Sequence, residues 1–214
     1  SQKFQGRFDG QGHTVSGLNV SGAEYAGLFG YVQGSFTGQA VIQNVVVQGS
    51  VSGTSDAGGI AGRADKASFA NCGSEAAVQA TGSGNAGGIV GRQHTYGSPI
   101  TITGCYNAGP VSGSRAGGII GFINEGADIS SCYNTGEITG STYGGGIRGQ
   151  SGSVIGSISG CYNAGTVTGS YSGPIQPNAT VPEGNYFLGD GGLTMVQMTT
   201  ELLELLNGGT GAGL

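Results

Sequence analysis

The chain has 214 residues, with seven Lys and Arg against twelve Asp and Glu, for a net charge of −5. It therefore offers no basic footprint for nucleic acid, and no stretch approaches the ~20 consecutive apolar residues of a membrane-inserted helix. Its 48 glycines and five prolines make up about a quarter of the chain, which signals low complexity unless the glycines recur with a period. Charged residues are only 9%, against the charge-rich composition of disorder, and the abundance of Val, Ile, Thr and Tyr favours strands.

Taken in chain order, Ser1-Gln2-Lys3-Phe4 already lies within a strand-like pattern. The chain thus reads as a piece of a larger multidomain protein, without a signal peptide of its own. A lead-in runs from Phe4 to Leu18. Then a motif recurs: Gly27-Leu28-Phe29-Gly30, Gly59-Ile60-Ala61-Gly62, Gly88-Ile89-Val90-Gly91, Gly118-Ile119-Ile120-Gly121 and Gly146-Ile147-Arg148-Gly149. Successive copies start 32, 29, 30 and 28 residues apart, and a degraded sixth stands at Gly173-Pro174-Ile175. Between copies comes a second motif: Ile42-Gln43-Asn44-Val45, Phe69-Ala70-Asn71-Cys72, Ile102-Thr103-Gly104-Cys105, Ile129-Ser130-Ser131-Cys132 and Ile158-Ser159-Gly160-Cys161. The last three continue as Tyr-Asn-x-Gly from Tyr106, Tyr133 and Tyr162. A third, Val51-Ser52-Gly53 and its kin at Val111, Ile138 and Val167, closes the unit.

Each unit thus holds three apolar runs too short for helices and right for strands. One unit cannot bury a face alone, so the units must stack. The expected fold is all-β: a right-handed parallel β-helix over residues 1–192, three-sided, of about six coils of ~30 residues, on the order of 30 Å long at ~4.8 Å per coil. At the C-terminal end, Thr200-Glu201-Leu202-Leu203-Glu204-Leu205-Leu206 is the one helical run, ended by Asn207-Gly208. A helical cap over 193–207 is expected to cover the last coil, where apolar core and unpaired edges would otherwise be open, followed by a Gly-rich tail over 208–214. A dimer-forming helix is the alternative.

Side-chain alternation assigns columns to core or surface. Leu28, Ile60, Ile89, Ile119 and Ile147 are expected inside. The adjoining Phe29, Ala61, Val90, Ile120 and Arg148 are expected outside, because an arginine stands among them. Ile42, Phe69, Ile102, Ile129 and Ile158 are expected inside. The following Asn, Gly or Ser then bends the chain and returns Val45, Cys72, Cys105, Cys132 and Cys161 to the core, leaving Tyr106, Tyr133 and Tyr162 outside. The flanking glycines are expected to serve narrow space and positive φ.

These segments resemble the GLUG-motif repeats of bacterial surface proteins, named for Gly-Leu-x-Gly. Gly27-Leu28-Phe29-Gly30 matches outright and the other copies carry Ile for Leu. Phe4-Gln5-Gly6-Arg7-Phe8-Asp9-Gly10 is similar to the usual lead-in, and Leu193 to Asn207 to the segment that often follows. The resemblance implies a right-handed β-helix within large secreted or wall-bound proteins, namely adhesins and proteins associated with immunoglobulin A peptidases. It implies no catalytic residue.

The residues themselves also point away from catalysis, cofactors and metals. Polysaccharide lyases and hydrolases need converging carboxylates. The twelve acids here are scattered, apart from a loose group of Glu125, Asp128 and Glu137. His13 and His94 fit no local metal motif, and the cysteines form no C-x-x-C pair. They recur in a column shared with Val45, which reads as buried free thiols rather than disulfides. The G-x-G-x-x-G matches at Gly82/Gly84/Gly87 and Gly144/Gly146/Gly149 arise from the repeat and open no helix. Asn107, Asn134 and Asn163 read as a hydrogen-bonding ladder at a bend.

Outward columns are the candidate binding residues: Tyr31, Arg63, Arg92 and Phe122, followed by Gln150, and the Tyr106, Tyr133, Tyr162 ladder. Exposed aromatics in a row suit sugar rings or a protein partner, while stacked tyrosines can also simply reinforce neighbouring strands. The expected function is an extracellular or cell-surface bacterial module that binds a host glycan or protein, with no enzymatic activity. Alternatives are a passive spacer, a carbohydrate-active enzyme and ice binding on the Ser52, Ser112, Thr139, Thr168 column.

Overall fold

The computed structural model describes residues 2–95, 98–154, 156–177 and 184–187. They form a parallel β-solenoid of about five turns, with no helix among the described residues. The expected cap over 193–207 and tail over 208–214 lie outside them.

Strands from successive turns pair in parallel as two long sheets. One is five-stranded, built from Phe29–Gln33, Ala61–Asp65, Val90–Gln93, Ile120–Glu125 and Arg148–Val154. The other has 17 strands and holds the rest of each turn. Register follows the repeat: Ile102 pairs with Phe69 and Ile129, Tyr133 with Tyr106 and Tyr162, and Val111 with Val78 and Ile138. The lead-in is itself a turn of the solenoid. Arg7–Ala26 pairs in parallel with Ala40–Gly58 along nearly its whole length, with Phe8 beside Ile42 and His13 beside Val45. Phe4 and Phe8 close on Phe29 with ring centroids 4.8 and 5.4 Å away, and all three pack against the core. At the far side the degraded sixth copy continues the ladder: Ile147 N–H donates to the Ile175 carbonyl, and Ile175 is fully buried.

Ile60, Ile89, Ile119 and Ile147 are buried, with Leu28 partly so; the Ile42, Phe69, Ile102, Ile129, Ile158 and Val45, Cys72, Cys105, Cys132, Cys161 columns are also interior. The bend between those last two columns works by backbone handedness. Asn44, Asn71, Gly104, Ser131 and Gly160 all hold φ between 51° and 63°. A left-handed residue breaks the two-residue alternation, so both flanking columns face in. The four cysteines are free and buried.

The column Phe29, Ala61, Val90, Ile120, Arg148 departs from expectation. Ala61, Val90 and Ile120 are fully buried in the core and Arg148 is 4% exposed. The chain bends at each Gly-Ile, so consecutive residues on the two sides of the bend both face in, and strict alternation fails there. Arg148 stands one rung before the last described one, and its guanidinium donates to Gln176 on that last rung. Burial pulls its pKa down to about 10. The paired glycines at this bend do not have positive φ. Crowding dictates them: a Cβ on Gly117 would collide with the Ile120 carbonyl, and one on Gly118 with the Gly146 carbonyl and Asn134.

A second apolar cluster lies beyond this bend, formed by Ala26, Ala57, Ala86 and Ala116 with Val51, Val78, Val111 and Ile138. Asp56 and Arg63, on opposite sides of the Ala57–Gly62 bend, bond to each other (Asp56 Oδ2 to Arg63 Nε 2.9 Å and Nη2 2.6 Å). Outward side chains converge across a bend only if it is re-entrant, so the backbone here forms a groove along the stack, filled toward its N-terminal end by the buried Tyr31, Asp56, Arg63 and Asn85 side chains.

Candidate functional site

Two ladders of side chains form the walls of this groove. One is the expected column, in the expected register: Tyr31 beside Arg63, Arg63 beside Arg92, Arg92 beside Phe122, Phe122 beside Gln150. The other was not singled out from the sequence: Tyr25, Asp56, Asn85, Arg115, Tyr143 and Tyr171, again paired rung to rung. Its signal is nevertheless present. In most copies a large or polar residue precedes an Ala-Gly-Gly or Gly-Gly-Gly run that leads into Ile, as in Asp56-Ala57-Gly58-Gly59-Ile60 and Arg115-Ala116-Gly117-Gly118-Ile119.

The two ladders interlock across the bend. At the N-terminal end Arg63 pairs with Asp56, and its guanidinium carbon stands 3.9 Å from the Tyr25 ring centre. Asp56 is completely buried and also accepts a 2.7 Å bond from Asn85 Nδ2. Tyr31 and Arg63, expected outside, are 8% and 9% exposed, because the opposing ladder covers them. Tyr31 donates its hydroxyl to Asp65, a buried carboxylate that also accepts from the His94 and Thr95 backbone N–H groups at 3.0 and 2.6 Å. Burial, with that bond to Asp65, pushes the Tyr31 hydroxyl up to about 12. Lys3 adds a cation 4.8 Å from the Tyr31 ring centre.

Further along, Arg92 and Arg115 approach a single ring, Phe122, at 5.2 and 5.0 Å. Arg115 donates to Gln150 and, at 3.2 Å, to Asn85 Oδ1. Both of those acceptors are neutral. All three groups are partly exposed, so this middle stretch is the accessible part of the groove. Tyr143 and Tyr171 stack 5.2 Å apart beyond it.

The other expected platform is differently built. Tyr106, Tyr133 and Tyr162 stack face to face, with centroids 5.2 and 5.3 Å apart and planes within 14°. Each interior ring face is therefore taken by a neighbour. The Tyr106 ring lies over Gly73 on the preceding rung and its hydroxyl donates to Glu75 at 3.0 Å. This arrangement joins rungs and leaves ring edges, not faces, to solvent. Beneath it, Asn107, Asn134 and Asn163 form a buried ladder through bonds of 2.8 and 2.7 Å, each also donating to a carbonyl two residues on.

Asp128 accepts from Ser157, and among the described residues no group of three acidic, histidine or cysteine side chains converges to hold a metal ion. Nor is any described helix long and apolar enough to cross a membrane.

No family model matches the chain. A stretch of 93 residues, 42% of the chain, is 37% identical to Halomucin of Haloquadratum walsbyi, of which it spans 1%. A crystal structure of a candidate immunoglobulin A1 protease from Bacteroides ovatus matches with a TM-score of 0.63 and 24% identity, over 84% of this chain and 57% of that one. At that identity the likeness is one of fold, and both comparisons set the chain beside parts of longer proteins.

Proposed function

We propose that this chain is a non-catalytic interaction module of a secreted or surface-displayed bacterial protein, binding a host glycan or protein through the re-entrant groove. The concentration of charge carries the reading. Of only seven Lys and Arg in a chain of net charge −5, Lys3, Arg63, Arg92 and Arg115 gather on this one face beside Tyr25, Tyr31 and Phe122. A passive spacer has no need of such sorting. The similarity to stretches of Halomucin and of the Bacteroides ovatus protein supports an extracellular setting. The Gly-Leu-x-Gly copies support GLUG-type repeats, with a right-handed, three-sided path of about six coils and a helical cap.

The test is an array of glycans and extracellular host proteins probed with the chain and with its Phe122→Ala variant. Binding that the variant loses is the expected result. No binding on any array, or binding indifferent to groove substitutions, would leave the spacer reading in its place.

A further inference from the structure

Arg63 is neutralised by Asp56, and that is the one ion pair among the described residues. Arg92 and Arg115 are different. Their guanidiniums flank one phenyl ring, and the acceptors of Arg115 are neutral amides. Arg92 Nε is shielded from solvent without a hydrogen-bond partner among the described residues. Burial, with Arg63 and Arg115 adding repulsion against the pull of Asp56, lowers the Arg92 pKa. Two like charges held together in a half-buried groove are unfavourable unless an anion joins them. A guanidinium presents a planar fork that fits a carboxylate with two parallel bonds.

We propose that the groove binds an acidic polysaccharide, with a sugar carboxylate seated on Arg92 and Arg115 and the chain lying along the stack. This rests on the groove being the binding face. Three features favour a glycan over an acidic peptide or a nucleic acid. Strand edges along the groove are already paired rung to rung, so a peptide cannot add to the sheet there. Beyond the arginine pair the stacked Tyr143 and Tyr171 rings end in Tyr171, 47% exposed, an aromatic surface of the kind a sugar ring packs on. Two guanidiniums without a carboxylate partner among the described residues, in a chain of net charge −5, are too few to hold a polyphosphate backbone.

The probes are polygalacturonate, dextran sulfate, neutral dextran, poly-glutamate and single-stranded DNA, measured by calorimetry at low and moderate salt. Polygalacturonate is expected to bind, to weaken as salt rises, and to weaken at least tenfold in Arg92→Gln and in Arg115→Gln. Stronger binding to dextran sulfate than to polygalacturonate, with the same loss in both variants, keeps the acidic-glycan class and replaces the carboxylate by a sulfate ester. Should a variant unfold at a lower denaturant concentration than the parent, the arginine Nε–Hε NMR signals of the unsubstituted chain, titrated with galacturonate oligomers, give the reading instead, and two of them are expected to shift. Absence of binding to both acidic glycans, equal binding to neutral dextran, or tighter binding to poly-glutamate or DNA overturns the proposal. If neutral glycans or proteins still bind and Phe122→Ala abolishes it, the interaction module survives while its acidic ligand does not.

Discussion

Replacing Asn134 by Ala should be among the more damaging single changes away from the aliphatic core. Its fully buried side chain accepts from Asn107 Nδ2 at 2.8 Å and donates to the Gly136 carbonyl at 2.9 Å and to Asn163 Oδ1 at 2.7 Å. Asn107 Nδ2 would keep the Gly109 carbonyl, and Asn163 Oδ1 would keep a longer 3.3 Å bond from Gly165 N. Two acceptors, the Gly136 carbonyl and Asn163 Oδ1, therefore lose their best donor. A buried group left unsatisfied costs ~1–3 kcal/mol, so the expected loss is about 3 kcal/mol in guanidinium unfolding followed by circular dichroism. Asn134→Asp would face a carboxylate oxygen toward both acceptors and cost more at neutral pH. Its folded pKa would rise above the unfolded ~3.9, so the variant should regain stability as pH falls through that raised value, the recovery being complete once pH reaches the ordinary aspartate range. Exposed Asn19, whose side chain meets only Ser50 at 3.4 Å, is the control, expected within ~0.5 kcal/mol of the parent when changed to Ala. If Asn134→Ala behaves like Asn19→Ala, the ladder is not a structural spine.

Other outcomes follow from the same geometry. Asp56→Ala strands the Arg63 guanidinium and should cost about 3–5 kcal/mol, read as a lower unfolding midpoint. Ser131→Gly relieves a left-handed residue (φ 51°) and, after the entropy of the more flexible unfolded chain is subtracted, should stabilise by roughly 0.5 kcal/mol; destabilisation would deny that the bend is strained. The Tyr31 and Tyr106 hydroxyls are each pushed up to about 12, by burial and by bonds to Asp65 and Glu75. Because both folded pKa values exceed the unfolded ~10, the stability they contribute is complete below pH 10 and lost as pH rises toward 12. Tyrosinate absorbance should accordingly lag in the folded chain relative to the denatured one, and Tyr31→Phe should narrow the lag.

The columns that repeat one kind of side chain were legible from the sequence. The isoleucine, cysteine and asparagine ladders each report a fixed environment through residue type, and a Val at position 45 among cysteines marks that column as apolar. The left-handed bend was legible too, as Asn, Gly and Ser at one position of the repeat. Two features were hidden for physical reasons. Ala61, Val90 and Ile120 are interior because the chain turns between them and the preceding isoleucines, and alternation does not survive a corner. Arg148 in the same column suggested exposure, yet its guanidinium ends against Gln176 at the last described rung. The groove was half visible: Tyr31, Arg63, Arg92 and Phe122 stood out, but the facing ladder changes residue type at nearly every copy, from Tyr25 through Asp56, Asn85 and Arg115 to Tyr143. Only the re-entrant bend brings the two together, and that bend is written in glycines whose role is to let backbone approach backbone.

The register of the turns underlies every ladder described, and proton NMR reads it directly. In the stacked arrangement, Tyr133 should show cross-strand amide-to-α-proton contacts typical of parallel pairing with both Tyr106 and Tyr162, and ring-to-ring contacts with the same two residues. Close α-proton to α-proton contacts typical of antiparallel strands, or tyrosine rings with no contact to one another, would contradict the solenoid and the groove it forms.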